Sequence, residues 1–368
     1  MHLHLLVGLL TTVAITRSLA AFVSHSALSK SVMSMSSSTV VSRAREKGLF
    51  LRTPLLHSAP LSKLCNRPVY LKLDLLQPSG SFKDRGMAHL CETLLEKRGQ
   101  DTKLISSSGG NAGLAVTTVA SQLGMEVDVI VPETTKQMVV EKLKTLGAKV
   151  TVYGNNWNAA DTLARELVDK DPNAEYVSPY DNSLLWTGHS SLMDELVDEL
   201  AEKNFGAIVA SVGGGGLLCG ILEGIERHSL HTMRVISCET EGAASFAKAW
   251  LQGTPVRLQS IDSIATSLGA LEVTPVSLTR AKAFQSRGGS VVPSICTDAE
   301  AVDACLKFAA DHRMLVEPAC GAALAVVYSE RLRKAALEGV VGVVVVEVCG
   351  GSGVNLDLLA TWKQELLL

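Results

Sequence analysis

The sequence predicts an α/β protein organised around parallel sheet. From about Leu49 onward, short β-branched runs alternate with longer segments of helical periodicity. The runs are apolar throughout instead of alternating, the pattern of strands covered on both faces. With 368 residues, 47% of them apolar, the chain can bury a large core divided between two lobes.

The first 45 residues stand apart, with no Asp or Glu, an apolar run from Leu5 to Ile15 and small residues from Ser18 to Ala21. That run is too short for a membrane span, which takes roughly 20 residues. It suits a signal-peptide core, and the Ser-rich, acid-poor stretch after Phe22 resembles a transit peptide. The expectation is a removed targeting segment over 1–45 and delivery to an organelle. Its two-part form resembles the leaders of proteins imported into complex plastids, with mitochondrial or secretory routes as alternatives.

The strands expected next are "VYLKLD" from Val69, "KLISSS" from Lys103, "VDVIVPE" from Val127, "KVTVYG" from Lys149, "AIVASVGGGG" from Ala207, "RVISCE" from Arg234 and "VVGVVVVEVCGG" from Val340. Helices are expected over Lys83 to Arg98, Asn111 to Leu123, Lys136 to Leu146, Asn158 to Asp169 and Leu192 to Lys203, each of crossover length. No internal repeat and no low-complexity linker follow residue 50, so a second domain has to be closely packed or inserted. A formal charge of −3 and 4% aromatic residues exclude nucleic-acid binding as a main role. Eight scattered cysteines, without a C-x-x-C pair, argue against a disulfide scaffold or structural zinc.

Chemistry concentrates at strand ends, where open α/β sheets collect ligands. "SSSGGNAG", Ser106 to Gly113, offers hydroxyls, N–H groups and the Asn111 amide to a carboxylate or another anion at a helix start; a cap with a tight turn is the plainer reading. "VGGGGLLCG", Val212 to Gly220, places four glycines in a row at a stability cost on the order of 2–4 kcal/mol, large against a net of about 5–15 kcal/mol. A phosphate wrapped by backbone N–H groups at a helix N-terminus would compensate. The tract is neither a Walker loop nor a dinucleotide fingerprint. Cys349 ends the buried run "VVVVEVC", where a lone thiol is more often packing than chemistry. Lys83 sits in "PSGSFKDRG", a lysine in a serine- and glycine-rich corner. An amine, a phosphate cup, a carboxylate clamp and a strand-end thiol are the parts that pyridoxal 5'-phosphate needs.

In order along the chain, "SGSFKDRG", "SSGGNAG", "VGGGGLLCG", "ETEGAASF", "VEPACGAALA" and "VCGGSG" resemble the serine/threonine dehydratases, fold type II (tryptophan synthase β-like) pyridoxal phosphate enzymes, from roughly Thr53 to Leu359. The resemblance is greatest to short L-serine dehydratases. It implies two parallel-sheet α/β domains with the cofactor between them, a large one from 46–75 and 182–368 and a small one from 76–181. It also implies a homodimer acting on a small amino acid, with no membrane in the mature form. Lys83 would form the Schiff base and act as catalytic base, and Phe82 would pack on the cofactor ring. Ser107, Ser108, Gly109 and Asn111 would hold the substrate carboxylate, with Asn111 also reaching the cofactor's phenolic oxygen. Gly213, Gly214, Gly215 and Gly216 would bind the phosphate, and Cys349 would face the pyridine nitrogen. Glu239, with carbonyls of Gly213, Ala243, Leu268 and Ala270, would hold a monovalent cation, potassium, for which oxygen ligands are apt.

The implied reaction is loss of water and ammonia from L-serine to give pyruvate, and from L-threonine to give 2-oxobutanoate. Rival readings are β-replacement of the cysteine or cystathionine synthase kind and a non-catalytic pyridoxal phosphate-binding protein. Two departures stand out. Serine racemases carry a serine where this chain has Gly109 or Gly110, which disfavours racemisation. Relatives often carry a small apolar residue where this chain has Ser267. The sequence ends soon after Gly353, so the resemblance is to forms lacking a regulatory domain.

Overall fold

The computed structural model describes residues 41–201 and 203–368; most of the leader expected over 1–45 lies outside the described residues. The unit from Ala44 to Leu368 holds two sheets. Among the described residues ten strands occur in chain order: β1 (Leu55–His57), β2 (Val69–Lys72), β3 (Lys103–Ser106), β4 (Val127–Val131), β5 (Lys149–Val152), β6 (Ala174–Tyr176), β7 (Phe205–Ser211), β8 (Arg234–Thr240), β9 (Ser290–Cys296) and β10 (Val343–Glu347). The larger sheet has the order β1-β2-β10-β7-β8-β9 and the smaller β5-β4-β3-β6. All pairings are parallel except β1 with β2.

The continuous apolar strands are buried on both faces because alternate residues enter different cores. Val344, Val346, Ala207 and Val209 join a cluster with the helices Pro318–Tyr328 and Asp298–His312. Val343, Val345, Ile208 and Ala210 join another with Ser183–Leu200 and Gly216–Arg227. On the small sheet, Ile105 and Ile130 pack against Ala160 and Ala164 of the helix Trp157–Lys170. All eight cysteines are buried and free.

The helices Lys83–Arg98 and Asn111–Leu123 have the bounds expected from sequence, whereas the one expected over Leu192 to Lys203 spans Ser183–Leu200. Its start is set by Asn182, whose side chain accepts the Leu184 N–H; the polar "TGHSS" segment within it hides its helical period. Three strands, β1, β6 and β9, escape the sequence reading. β1 is an edge strand of three residues, too short to leave a pattern.

Lys83 is carried on a helix that a buried ionic cage fixes to the large sheet. Arg85, fully buried, makes a two-pronged contact with Asp74 (2.7 and 2.8 Å) and another with Glu195 (2.8 and 2.9 Å). Lys72, also fully buried, reaches Glu195 at 2.8 Å and the Thr53 carbonyl at 2.7 Å. Arg45 adds a third cation to Glu195 at 2.9 Å. The Arg85 cation stabilises the Asp74 carboxylate enough to lower its pKa against the opposing effect of burial.

Candidate active site

The loop before Lys83 is bound to the end of β10. Ser81 bridges Gly350, the Phe82 N–H donates to the Cys349 carbonyl at 3.1 Å, and the Gly351 N–H donates to the Gly80 carbonyl at 2.9 Å. Gly350 has φ +81°, and a Cβ there would lie 2.3 Å from the Gly80 carbonyl oxygen, so this junction takes only glycine. The effect is to set Lys83, at the first turn of its helix, beside Cys349.

The Lys83 Nζ donates to the Pro179 carbonyl at 2.6 Å and stands 5.0 Å from the Phe82 ring centre. Burial disfavours its ammonium form, and the partial offset from Cys349 and Glu317 leaves its pKa lowered to about 8. Cys349 is pushed the other way, well above its ordinary value, by its contact with the Cys320 thiol and by burial. Its thiol is therefore neutral and offers only weak hydrogen bonding.

The glycine tract runs from the end of β7 into the helix Gly216–Arg227, with Gly215 at φ +87° as cap. Among the described residues, the N–H groups of Gly213, Gly214 and Gly215 donate no hydrogen bond, leaving orphan donors at a helix N-terminus. The tract also has a packing reason. A Cβ on Gly214 would lie 2.1 Å from the Tyr180 ring and one on Gly216 would lie 2.7 Å from the Tyr180 carbonyl oxygen.

Facing this tract, the small sheet contributes the loop after β3. The Ser107 hydroxyl is already engaged: it donates to Asp161 at 2.6 Å and lies 3.2 Å from the Tyr176 hydroxyl. These contacts tie down the loop at its buried residue, while Ser108, Gly109 and Gly110 form the more open edge. Asn111 extends across to the large sheet, where its Nδ2 donates to Glu317 at 2.8 Å and to Ser267 at 3.2 Å. Its Oδ1 accepts from the Ser352 N–H at 3.0 Å.

Glu317, Ser352 and Pro179 are site residues that the sequence reading missed. Glu317 is the only charged residue between Arg313 and Glu330, heading the wholly buried helix Pro318–Tyr328; a carboxylate in that setting has to be buried too. Ser267, read from sequence as a departure, occupies its place because its hydroxyl meets Asn111 and Glu317. Glu239 is fully buried, its oxygens accepting from the Phe246 and Ala247 N–H groups at 2.8 and 2.7 Å. Burial raises its pKa to about 8.

A family model described as "Pyridoxal-phosphate dependent enzyme" matches residues 47–350. The chain belongs to the pyridoxal-phosphate dependent enzyme family. It is 43% identical over 322 residues to the human protein named L-serine dehydratase/L-threonine deaminase, covering 86% of this chain and 96% of that one. An L-serine dehydratase of Dictyostelium discoideum is 37% identical, with 85% and 92% covered. Among solved structures, a fungal L-serine ammonia-lyase from Rhizomucor miehei matches with TM-score 0.80 and 37% identity, over 86% of this chain and 99% of that one. Maize serine racemase, at 20% identity and TM-score 0.77, shares the fold.

The residues present fit the family's cofactor. Lys83 supplies a desolvated amine, the orphan N–H groups of the glycine tract suit a phosphate, and Cys349 ends the strand beside them. Because burial lowers the Lys83 pKa, the reactive free amine increases as pH rises towards 8. The rate at which cofactor-free protein recaptures pyridoxal phosphate should rise about tenfold per pH unit below 8 and level off above it. A stopped-flow series from pH 6 to 10 checks this, and a rate that rises only near the ordinary lysine range would contradict the desolvation argument.

Proposed function

We propose that the protein is an L-serine ammonia-lyase that forms pyruvate and ammonia and also takes L-threonine to 2-oxobutanoate. The observation that carries the reading is the desolvated amine of Lys83, set among a helix-capped glycine cradle, a neutral strand-end thiol and a glycine-rich loop suited to a carboxylate.

Bound pyridoxal phosphate supplies the electron sink that acidifies the substrate Cα–H and assists departure of the β-hydroxyl. The chain's own residues do the rest. With a pKa near 8, the Lys83 amine is partly neutral at physiological pH, as a general base requires. The orphan N–H groups of Gly213 to Gly215 and the positive end of the following helix hold an anion. A neutral Cys349 places no charge at the far end of the cleft, which favours early loss of the hydroxyl over transamination. The N–H groups of Gly109 and Gly110, at the start of the helix Asn111–Leu123, suit the substrate carboxylate. One extra methyl is worth only about 1–3 kcal/mol, so both hydroxy amino acids fit the proposal.

The reading extends to a monovalent cation beside Glu239. Its support is a fully buried carboxylate with no ion-pair partner among the described residues, next to a segment where Gly213 approaches Ser267 and Leu268 closely. The purified protein should form 2-oxo acid from L-serine in potassium, and turnover should fall several-fold when tetramethylammonium replaces it. Cofactor binding without 2-oxo acid from either amino acid would overturn the lyase reading. A product that appears only when sulfide or a thiol is added would favour β-replacement.

A further inference from the structure

Asn111 crosses from the small sheet to the large one, and every polar atom of its side chain is committed there. The Ser352 backbone N–H can only donate, so the Asn111 oxygen faces it and the amide nitrogen faces the Glu317 carboxylate. Glu317 is 4% exposed. Besides Asn111, it accepts the Gly353 N–H at 3.1 Å and contacts the Ser267 hydroxyl. A Cβ on Gly351 would lie 2.0 Å from the Glu317 carboxyl carbon, so the glycine loop after β10 is wrapped onto this side chain. None of Asn111, Ser267, Glu317 and Ser352 belongs to the three hydrophobic clusters. Its one evident product is a fixed orientation of Asn111 at the edge of the loop Ser108–Gly110.

We propose that Glu317 is a positioning residue: with Ser267 it latches the Asn111 amide across the cleft, and so sets the distance between the substrate loop of the small sheet and the strand-end loops of the large sheet. Burial raises its pKa, and contacts with Ser267, Gly353, Asn111 and the nearby Lys83 oppose that rise. A latch of this kind acts mainly on how the amino acid is held, because Lys83 has its own mounting in the cage around Arg85.

The inference rests on the amino-acid reading of the site, which wild-type 2-oxo acid formation tests separately. The experiment compares full-length wild type, Glu317→Ala, Glu317→Gln, Ser267→Ala, Asn111→Ala and the double variant Glu317→Ala/Asn111→Ala. Steady-state kinetics with L-serine is paired with titration of L-serine against the cofactor absorbance of each holoenzyme, a readout that does not need turnover. Glu317→Ala should weaken L-serine binding and raise KM tenfold or more, with a smaller change in kcat and with the lysine-bound cofactor band intact. Glu317→Gln, which still accepts from Asn111, should recover most of that loss. Ser267→Ala, the variant least exposed to a folding defect, should raise KM a few-fold. In the double variant the two losses should not multiply, since both cut the same link. Unchanged KM and L-serine binding in Glu317→Ala and Ser267→Ala would overturn the proposal. So would fully multiplicative losses in the cycle, or a Glu317→Gln variant as impaired as the alanine.

Discussion

Lys83→Ala will lose 2-oxo acid formation by at least about a thousandfold and, in the reconstituted protein, the absorption of a lysine-bound cofactor. On the proposed reading two roles fall on this one amine, covalent attachment and proton transfer at the substrate Cα, and proton transfer alone is worth about 10²–10⁴ in rate. Lys83→Arg will be equally inactive, because a guanidinium keeps its proton at every accessible pH. The pair therefore separates loss of charge from loss of a titratable amine. The fold will survive, since the only polar contact of the Lys83 side chain among the described residues is the Pro179 carbonyl. Absorbance spectra, turnover and thermal unfolding of both variants check the three statements. Wild-type turnover in Lys83→Ala would sink the assignment.

The second large effect is on stability. Arg85→Met will cost about 3–5 kcal/mol, because removing one partner strands the others: Asp74 and Glu195 are fully buried and lose four charge-assisted contacts at once. Lys72 and Arg45 still face Glu195, so Asp74 bears most of the cost and is driven towards its protonated form. Arg85→Lys will recover little, since an ammonium cannot reproduce two forked contacts. Urea denaturation of cofactor-free protein measures this directly, and a loss under about 1 kcal/mol would contradict the role given to the cage.

Much of this architecture was readable before any coordinates. "AIVAS" and "VVVVEV" announce strands buried on both faces, and the glycine tract and Lys83 announce themselves by costs that ordinary packing does not explain. Glu317 and Arg85 did not, for a common reason. The partners of Glu317 lie at positions 111, 267 and 353, and those of Arg85 at 74 and 195. Local period, propensity and spacing carry no information on such pairings. Arg85 reads as an ordinary helix cation until its burial is known. Ser107 adds a related case: it stands in the loop expected to clamp a carboxylate, its hydroxyl is engaged by Asp161, and nothing in "SSSGGN" tells one serine's partner from the next.

The ionic cage also bears on the order in which the molecule is assembled. Arg85 and Glu195 are separated by 110 positions, Lys72 and Glu199 by 127, and Arg45 and Glu195 by 150. Closing loops of that length costs the most chain entropy and comes late in folding. On a ribosome, the first 90 residues emerge with their cations and Asp74 but without Glu195. The lysine helix thus takes its final seat only after the helix Ser183–Leu200 has been synthesised and folded. Capture of the cofactor then becomes a late event, and a truncated nascent chain carries Lys83 without the mounting that seats its helix.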